Sequence, residues 1–243
     1  TLDKLIALAY DTQLPAFEEL IFGLLVAFEG LDDVADELND ALDMLRDWDQ
    51  RVAEDSIAMT LAHFYGIALF EKGSMPAEFS GASFMDQVTV LAIGSNVAER
   101  RIIFEETLAM LKADFGRWNV PWGEVNRYQR INGDIRQPFN DDKPSLPIGM
   151  ASGRWGALAS FSAKRYGDTR KIYGTSGNSF VAVVEFGDTV KAKTMLAGGQ
   201  SGDPSSPHFD DQAQRYADGQ FKDVAYYRQD VEERAVRTYH PGE

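Results

Sequence analysis

The sequence predicts an α+β fold, helical in its N-terminal half and carrying a β-hairpin in its C-terminal half. Three observations lead there. Apolar residues recur every three or four positions up to about residue 115. Glycine and proline then crowd the chain from "FGRWNVPWGEV" onward. Finally, the paired runs "SFVAVVEF" and "TVKAKTML" flank Gly187-Asp188, a turn dipeptide. Residues 1-120 are therefore read as a helical segment. Residues 121-243 are read as an irregular segment, the hairpin and C-terminal helices, the two being parts of one integrated unit.

Thr1 is placed to cap a first helix bearing Leu5, Ile6, Leu8 and Ala9. Pro15 suits the first turn of a second, running through Leu20, Leu24 and Phe28. Val34, Leu38, Leu42 and Leu45 form one stripe, and Ile57, Leu61, Phe64 and Ala68 another, with acidic positions facing water. "EKGSMPAEFSG" interrupts the helices. Pro138, Pro144 and Pro147 mark a long irregular segment of the kind that lines a site or wraps a neighbour. "SFVAVVEF" reads as a strand buried on both faces. In the partner strand, Val190, Ala192, Thr194 and Leu196 alternate with Lys191 and Lys193, which puts the lysine face in water. In "SPHFDDQAQRYADG", Ser206 reads as N-cap, Pro207 as first helical residue, Phe209, Ala213 and Tyr216 as the apolar stripe, and Gly219 as the stop.

Composition narrows the function classes. The 243 residues carry a net charge of −14, and the first sixty hold fifteen Asp/Glu against three Lys/Arg. That field repels phosphate backbones, so nucleic acid is not an expected partner. No apolar run reaches the roughly 18 residues of a bilayer span, so membrane insertion is not expected. The start of the sequence lacks the basic-then-apolar signature of a signal peptide, which leaves open a processed piece of an exported precursor. Cysteine is absent, which removes thiolate chemistry, and His63, His208 and His240 are too dispersed for a zinc site. His63, beside Leu61, Phe64 and Tyr65, reads as a hydrogen-bonded core or boundary residue. "GTSGNS" and "GGQSGD" do not fit the nucleophile elbow, and "GGQSG" lacks the Lys-Ser/Thr ending of a phosphate loop. Thr1 as an N-terminal nucleophile would sit at the start of a strand, but helical periodicity follows it.

A combination of blocks is more specific: "AYDTQLPAFEELI", "WGEVNRYQRINGDIRQPFNDDKPSLPIGMASGRWGALASF", "YGTSGNSFVAVVEFGD", "AGGQSGDPSSPHFDDQAQRYADGQF" and the closing "YHPGE". Together they resemble the C-terminal part of the β-subunit in the penicillin acylase family, most of all its N-acyl-homoserine-lactone-acylase-like branch. The resemblance implies an N-terminal-nucleophile (Ntn) hydrolase with an αββα core, made as a bacterial precursor exported to the periplasm or beyond. The serine and asparagine that act in that family precede the matched blocks, so this chain would lack its nucleophile and be inactive alone. Its partners would be the remainder of the acylase and a small N-acylated substrate.

The chemistry needs no cofactor, but the resemblance implies a structural calcium ion to which Asp3, in "TLDKL", would contribute. The alternative is a helix-start aspartate facing the dipole. Gln13, in "YDTQLP", stands where some members carry an active-site arginine and could at most supply neutral hydrogen bonds. Asn178, in "GTSGNSF", corresponds to an acidic position near the nucleophile's amine. Either that role is absent, or a carbonyl oxygen suffices, or Asn178 is a turn residue before the strand. A competing reading makes the chain a stand-alone ligand-binding module built around Trp118, Trp122 and the proline-rich segment.

Overall fold

The computed structural model describes every residue except Asp32, Pro241 and Glu243, so the "YHPGE" block lies partly outside the described residues. In chain order the helices are α1 (Leu2–Ala9), α2 (Ala16–Phe28), α3 (Asp36–Arg46), α4 (Ile57–Lys72), α5 (Phe84–Thr89), α6 (Val97–Phe115), α7 (Trp122–Val125), α8 (Ala213–Ala217) and α9 (Arg228–Arg234). The strands are β1 (Asn126–Tyr128), β2 (Leu146–Pro147), β3 (Phe161–Lys164), β4 (Ile172–Gly177), β5 (Phe180–Glu185), β6 (Lys191–Leu196) and β7 (Lys222–Asp223). The fold is α+β, helical first and stranded later. Among the described residues no helix is long and apolar enough to cross a membrane. Two compact units emerge: residues 11–177, and residues 1–10 with 178–243. The change of texture near residue 120 falls inside the larger one.

The main apolar core belongs to the larger unit and runs from Leu14 to Ile172. α2 buries Phe17, Leu20, Leu24 and Phe28, so the helix expected after Pro15 forms, with Pro15 just ahead of it. α4 departs from the expected one-sided stripe. Ten of its sixteen residues are buried, including Thr60 and His63, because α3, α6 and α7 pack around it. Gly23 of α2 lies against the π-helical turn Val90–Gly94, where an added Cβ would fall 1.9 Å from the Ala92 carbonyl oxygen. The buried Arg100 secures this approach, donating to Gly23 O at 2.7 Å and to the carbonyls of Ala92 and Ser95.

Four short strands that the sequence did not announce make a sheet in the order β2-β1-β4-β3, in which β1 and β4 are parallel. The proline-rich segment is anchored to this sheet. Tyr173 of β4 donates from its hydroxyl to Asp141 Oδ1 at 2.8 Å, and Phe139 stacks on the Tyr173 ring at 5.0 Å. Gln129 braces the same segment through the carbonyls of Asn140, Lys143 and Pro144.

In the smaller unit the hairpin forms as expected, but with two corrections. Pairing runs from Phe180↔Leu196 to Glu185↔Lys191, so the connection is residues 186–190 and not the dipeptide Gly187-Asp188. The strand expected to be buried on both faces buries only Val183. The covered face is the one carrying the lysines. Val181 and Val183 lie opposite Met195 and Lys193, α1 packs on β5, and Tyr10 donates from its hydroxyl to Met195 Sδ at 3.8 Å. The alternation misled because Lys193 is held on the covered side by an ion pair with Asp3 of α1. The opposite face leaves Phe180 60% and Phe186 84% exposed, with Val184 also uncovered. β5 is the outer strand of a three-stranded sheet ordered β5-β6-β7.

Candidate functional site

Asp3 sits in the first turn of α1, which Thr1 caps by accepting from Lys4 N at 3.4 Å. Thr1 therefore opens a helix, as its following periodicity predicts, and not a strand. The Asp3 carboxylate accepts from Lys193 Nζ at 2.6 Å. That ammonium holds the carboxyl below its usual range and is itself pushed up in return. Calcium takes about six to eight oxygen ligands. Among the described residues no group of three or more His, Cys, Asp or Glu side chains is placed to hold a metal ion. One carboxylate facing an ammonium does not by itself fit the ion.

Gln13 lies on an extended stretch of the larger unit, directly opposite Arg51 in an antiparallel bridge. Leu14 N donates to Gln50 O at 3.0 Å and Val52 N to Thr12 O at 2.9 Å, fixing that register. Arg51 in turn donates to Asp11 Oδ1 at 2.8 Å and to Thr12 Oγ1 at 3.2 Å. The Arg51 guanidinium, with help from the Gln13 amide N–H, lowers the Asp11 carboxyl. A fixed positive charge is thus present beside Gln13, delivered from another strand. Sequence reasoning missed Arg51, because no spacing rule links it to "YDTQLP".

Asn178 is exposed in the link between β4 and β5. Beside it, Ser179 O accepts from Ala197 N at 2.8 Å, next to the first pairing of the hairpin. This is the position of a residue leading into a strand. Ser176 of "GTSGNS" lies within β4, so no strand-turn-helix elbow surrounds it.

The stretch "GGQSGDPSSPHFDDQ" folds back on itself. Ser201 N donates to His208 O at 3.0 Å and Gln212 N to Gly198 O at 2.8 Å. Gly199 approaches so closely that an added Cβ would lie 2.2 Å from the His208 carbonyl oxygen. These cross-links divert the backbone groups that a helix from Pro207 would need, so α8 begins only at Ala213. Ser206 caps a turn instead, its Oγ accepting from His208 N at 3.2 Å. The apolar stripe is as expected, with Phe209, Ala213 and Tyr216 buried and Gly219 ending the helix at φ 65°. The stretch is a self-bonded loop.

The penicillin amidase family model matches residues 1–233. The chain belongs to the penicillin amidase family. Asp3, Gln13, Asn178 and the self-bonded loop all fall within the match. Family membership supports an acylase-type amide hydrolase, a class in which hydroxyl attack on an amide carbonyl requires an activated nucleophile and oxyanion donors. The structure brings Asp3 to Lys193, and Gln13 to Arg51 and Asp11. Asp3 and Asn178 belong to the smaller unit and Gln13 to the larger.

Proposed function

We propose that this chain is the C-terminal portion of an acylase β-subunit that hydrolyses the linear amide bond of N-acylated small molecules of the penicillin or acyl-homoserine-lactone type. Its part is to complete an αββα core and wall the site. The nucleophilic hydroxyl comes from residues outside this sequence. That hydroxyl adds to the amide carbon, the C–N bond breaks, the amine leaves with the proton, and water then splits the acyl ester to the free acid. The family match over residues 1–233 carries the amide-hydrolase reading. The open hairpin face supports the partial-subunit reading, because Phe180, Val184 and Phe186 form an apolar strip suited to a second sheet.

In this reading Arg51, bridged to Gln13, supplies the fixed charge that Gln13 lacks and helps hold a carboxylate or carbonyl oxygen of the substrate. A structural calcium ion shared between Asp3 and carboxylates of the remaining enzyme belongs to the same reading, and requires Lys193 to swing off Asp3. The enzyme acts in the periplasm or after secretion. The test is an assay against a fatty-acyl amide, with this chain alone and with the nucleophile-bearing remainder. Turnover only in the combination supports the proposal, and turnover by this chain alone overturns it.

A further inference from the structure

The larger unit holds a cavity that the amide-hydrolase reading leaves unused. It lies among α4, α6, β3 and β4, has a volume of about 420 Å³, and is walled by Phe64, Ile67, Ala68, Ile103, Met110 and Ile172. That volume is in the range of small-molecule sites, roughly 300–1,000 Å³. His63 also lines it, although the residue as a whole is only 7% exposed.

The orientation of the His63 ring is fixed by chemistry. Trp155 Nε1 lies 3.1 Å from His63 Nδ1, and an indole nitrogen can only donate. Nδ1 therefore carries the lone pair, and the proton of the neutral ring sits on Nε2. Burial, aided by the Arg154 charge, lowers the imidazole pKa to about 3, so the ring stays neutral. Nε2–H has no partner among the described residues. It is not sealed into the core either. The sealed polar side-chain atoms lacking a partner there are Thr60 Oγ1, Tyr65 OH, Arg100 Nε and Asn126 Oδ1. The donor therefore opens toward the cavity that His63 lines.

Three of the five charged side chains lining the cavity are ion-paired. Lys72 pairs with Glu106 at 2.5 Å, and Arg165 pairs with Asp114. The remaining rim ions, Glu71 and Lys164, have opposite signs. Nothing in this balance favours a charged guest, and a carboxylate set among these apolar walls is far more costly to desolvate than a carbonyl. An apolar chamber with one uncommitted N–H donor matches an apolar guest with one neutral acceptor. We propose that this cavity binds an uncharged, apolar small molecule through a carbonyl oxygen that accepts from His63 Nε2–H.

The test uses the full chain labelled with ¹⁵N-histidine, whose three histidines give few and assignable signals. 2-Heptanone is titrated in, with heptanoate and heptylammonium as charged controls of similar length. The expected result is a saturable shift of the His63 Nε2 resonance with the ketone, with His208 and His240 unmoved and the controls at least about tenfold weaker. His63→Phe, which keeps a ring but loses the donor, should weaken ketone binding about tenfold, as for one neutral hydrogen bond. Ala68→Met pushes bulk into the chamber without touching the His63–Trp155 bond and should weaken ketone binding. No shift at His63, equal binding of heptanoate, or unchanged affinity in the folded Ala68→Met protein overturns the proposal. Should His63→Phe fail to fold, the Ala68→Met and charged-control arms still decide. None of these readouts depends on amide hydrolysis, so they stand or fall separately from the proposed enzyme activity.

Discussion

Protonating His63 is expected to destabilise the protein in a defined window of pH. Its imidazole falls from an ordinary value of 6.5 to about 3 in the folded chain, first through burial and then through the Arg154 charge. A depressed pKa means that the unfolded chain binds more protons between those two values. The stabilising contribution is therefore whole above pH 6.5 and lost progressively toward pH 3. At about pH 5 the loss is roughly 2 kcal/mol, and across the full window it approaches about 5 kcal/mol. Urea unfolding from about pH 4.5 to 7.5, for the native chain and for His63→Asn, separates this effect from the carboxylates, which are common to both. Asn retains a carbonyl oxygen for Trp155 Nε1 but cannot titrate. The native chain should lose about 2 kcal/mol more than the variant between about pH 7.5 and 5. Identical slopes in the two proteins would refute the argument, because they would mean that water reaches the ring freely in the folded state.

Three further outcomes follow from the geometry. Gly23→Ala drives a methyl into the Ala92 carbonyl, 1.9 Å from where its carbon must lie, so the cost belongs near the upper end of overpacking. That is about 3 kcal/mol, or roughly 6–12 °C in Tm by calorimetry. Tyr173→Phe removes the 2.8 Å donor to Asp141; it should cost roughly 1.5–3 kcal/mol and raise the protease sensitivity of residues 138–147. Phe180→Thr with Phe186→Thr should lower binding of an apolar dye while changing stability by no more than about 0.5 kcal/mol per site, because neither ring is covered in this chain.

The helices were legible wherever an amphipathic period reached the surface, as in α2 and α3, and so was the cap at Thr1. α4 was only half legible, because a helix enclosed on several sides buries polar residues such as Thr60 that a one-sided stripe leaves out of the core, whereas His63 is the buried, hydrogen-bonded residue its apolar neighbours predict. β1 and β2 span three and two residues, too short for alternation to register. The hairpin was found, but its faces were reversed, since an ion pair can hold Lys193 on the covered side. Ser206-Pro207 carried the signature of a helix start, and the approach of Gly199 to the His208 carbonyl overrode it. The partners that define the candidate positions, Arg51 for Gln13 and Lys193 for Asp3, come from distant parts of the chain. Only the folded backbone reveals such pairs.

β5 has a hydrogen-bonding neighbour on one side only, and the exposed Phe180 and Phe186 stand on its uncovered face. A bare ladder edge beside greasy side chains is a template for another extended segment. With that edge uncovered, this polypeptide should self-associate by strand addition as its concentration rises. The light scattered by its solutions should therefore grow more steeply than in proportion to concentration.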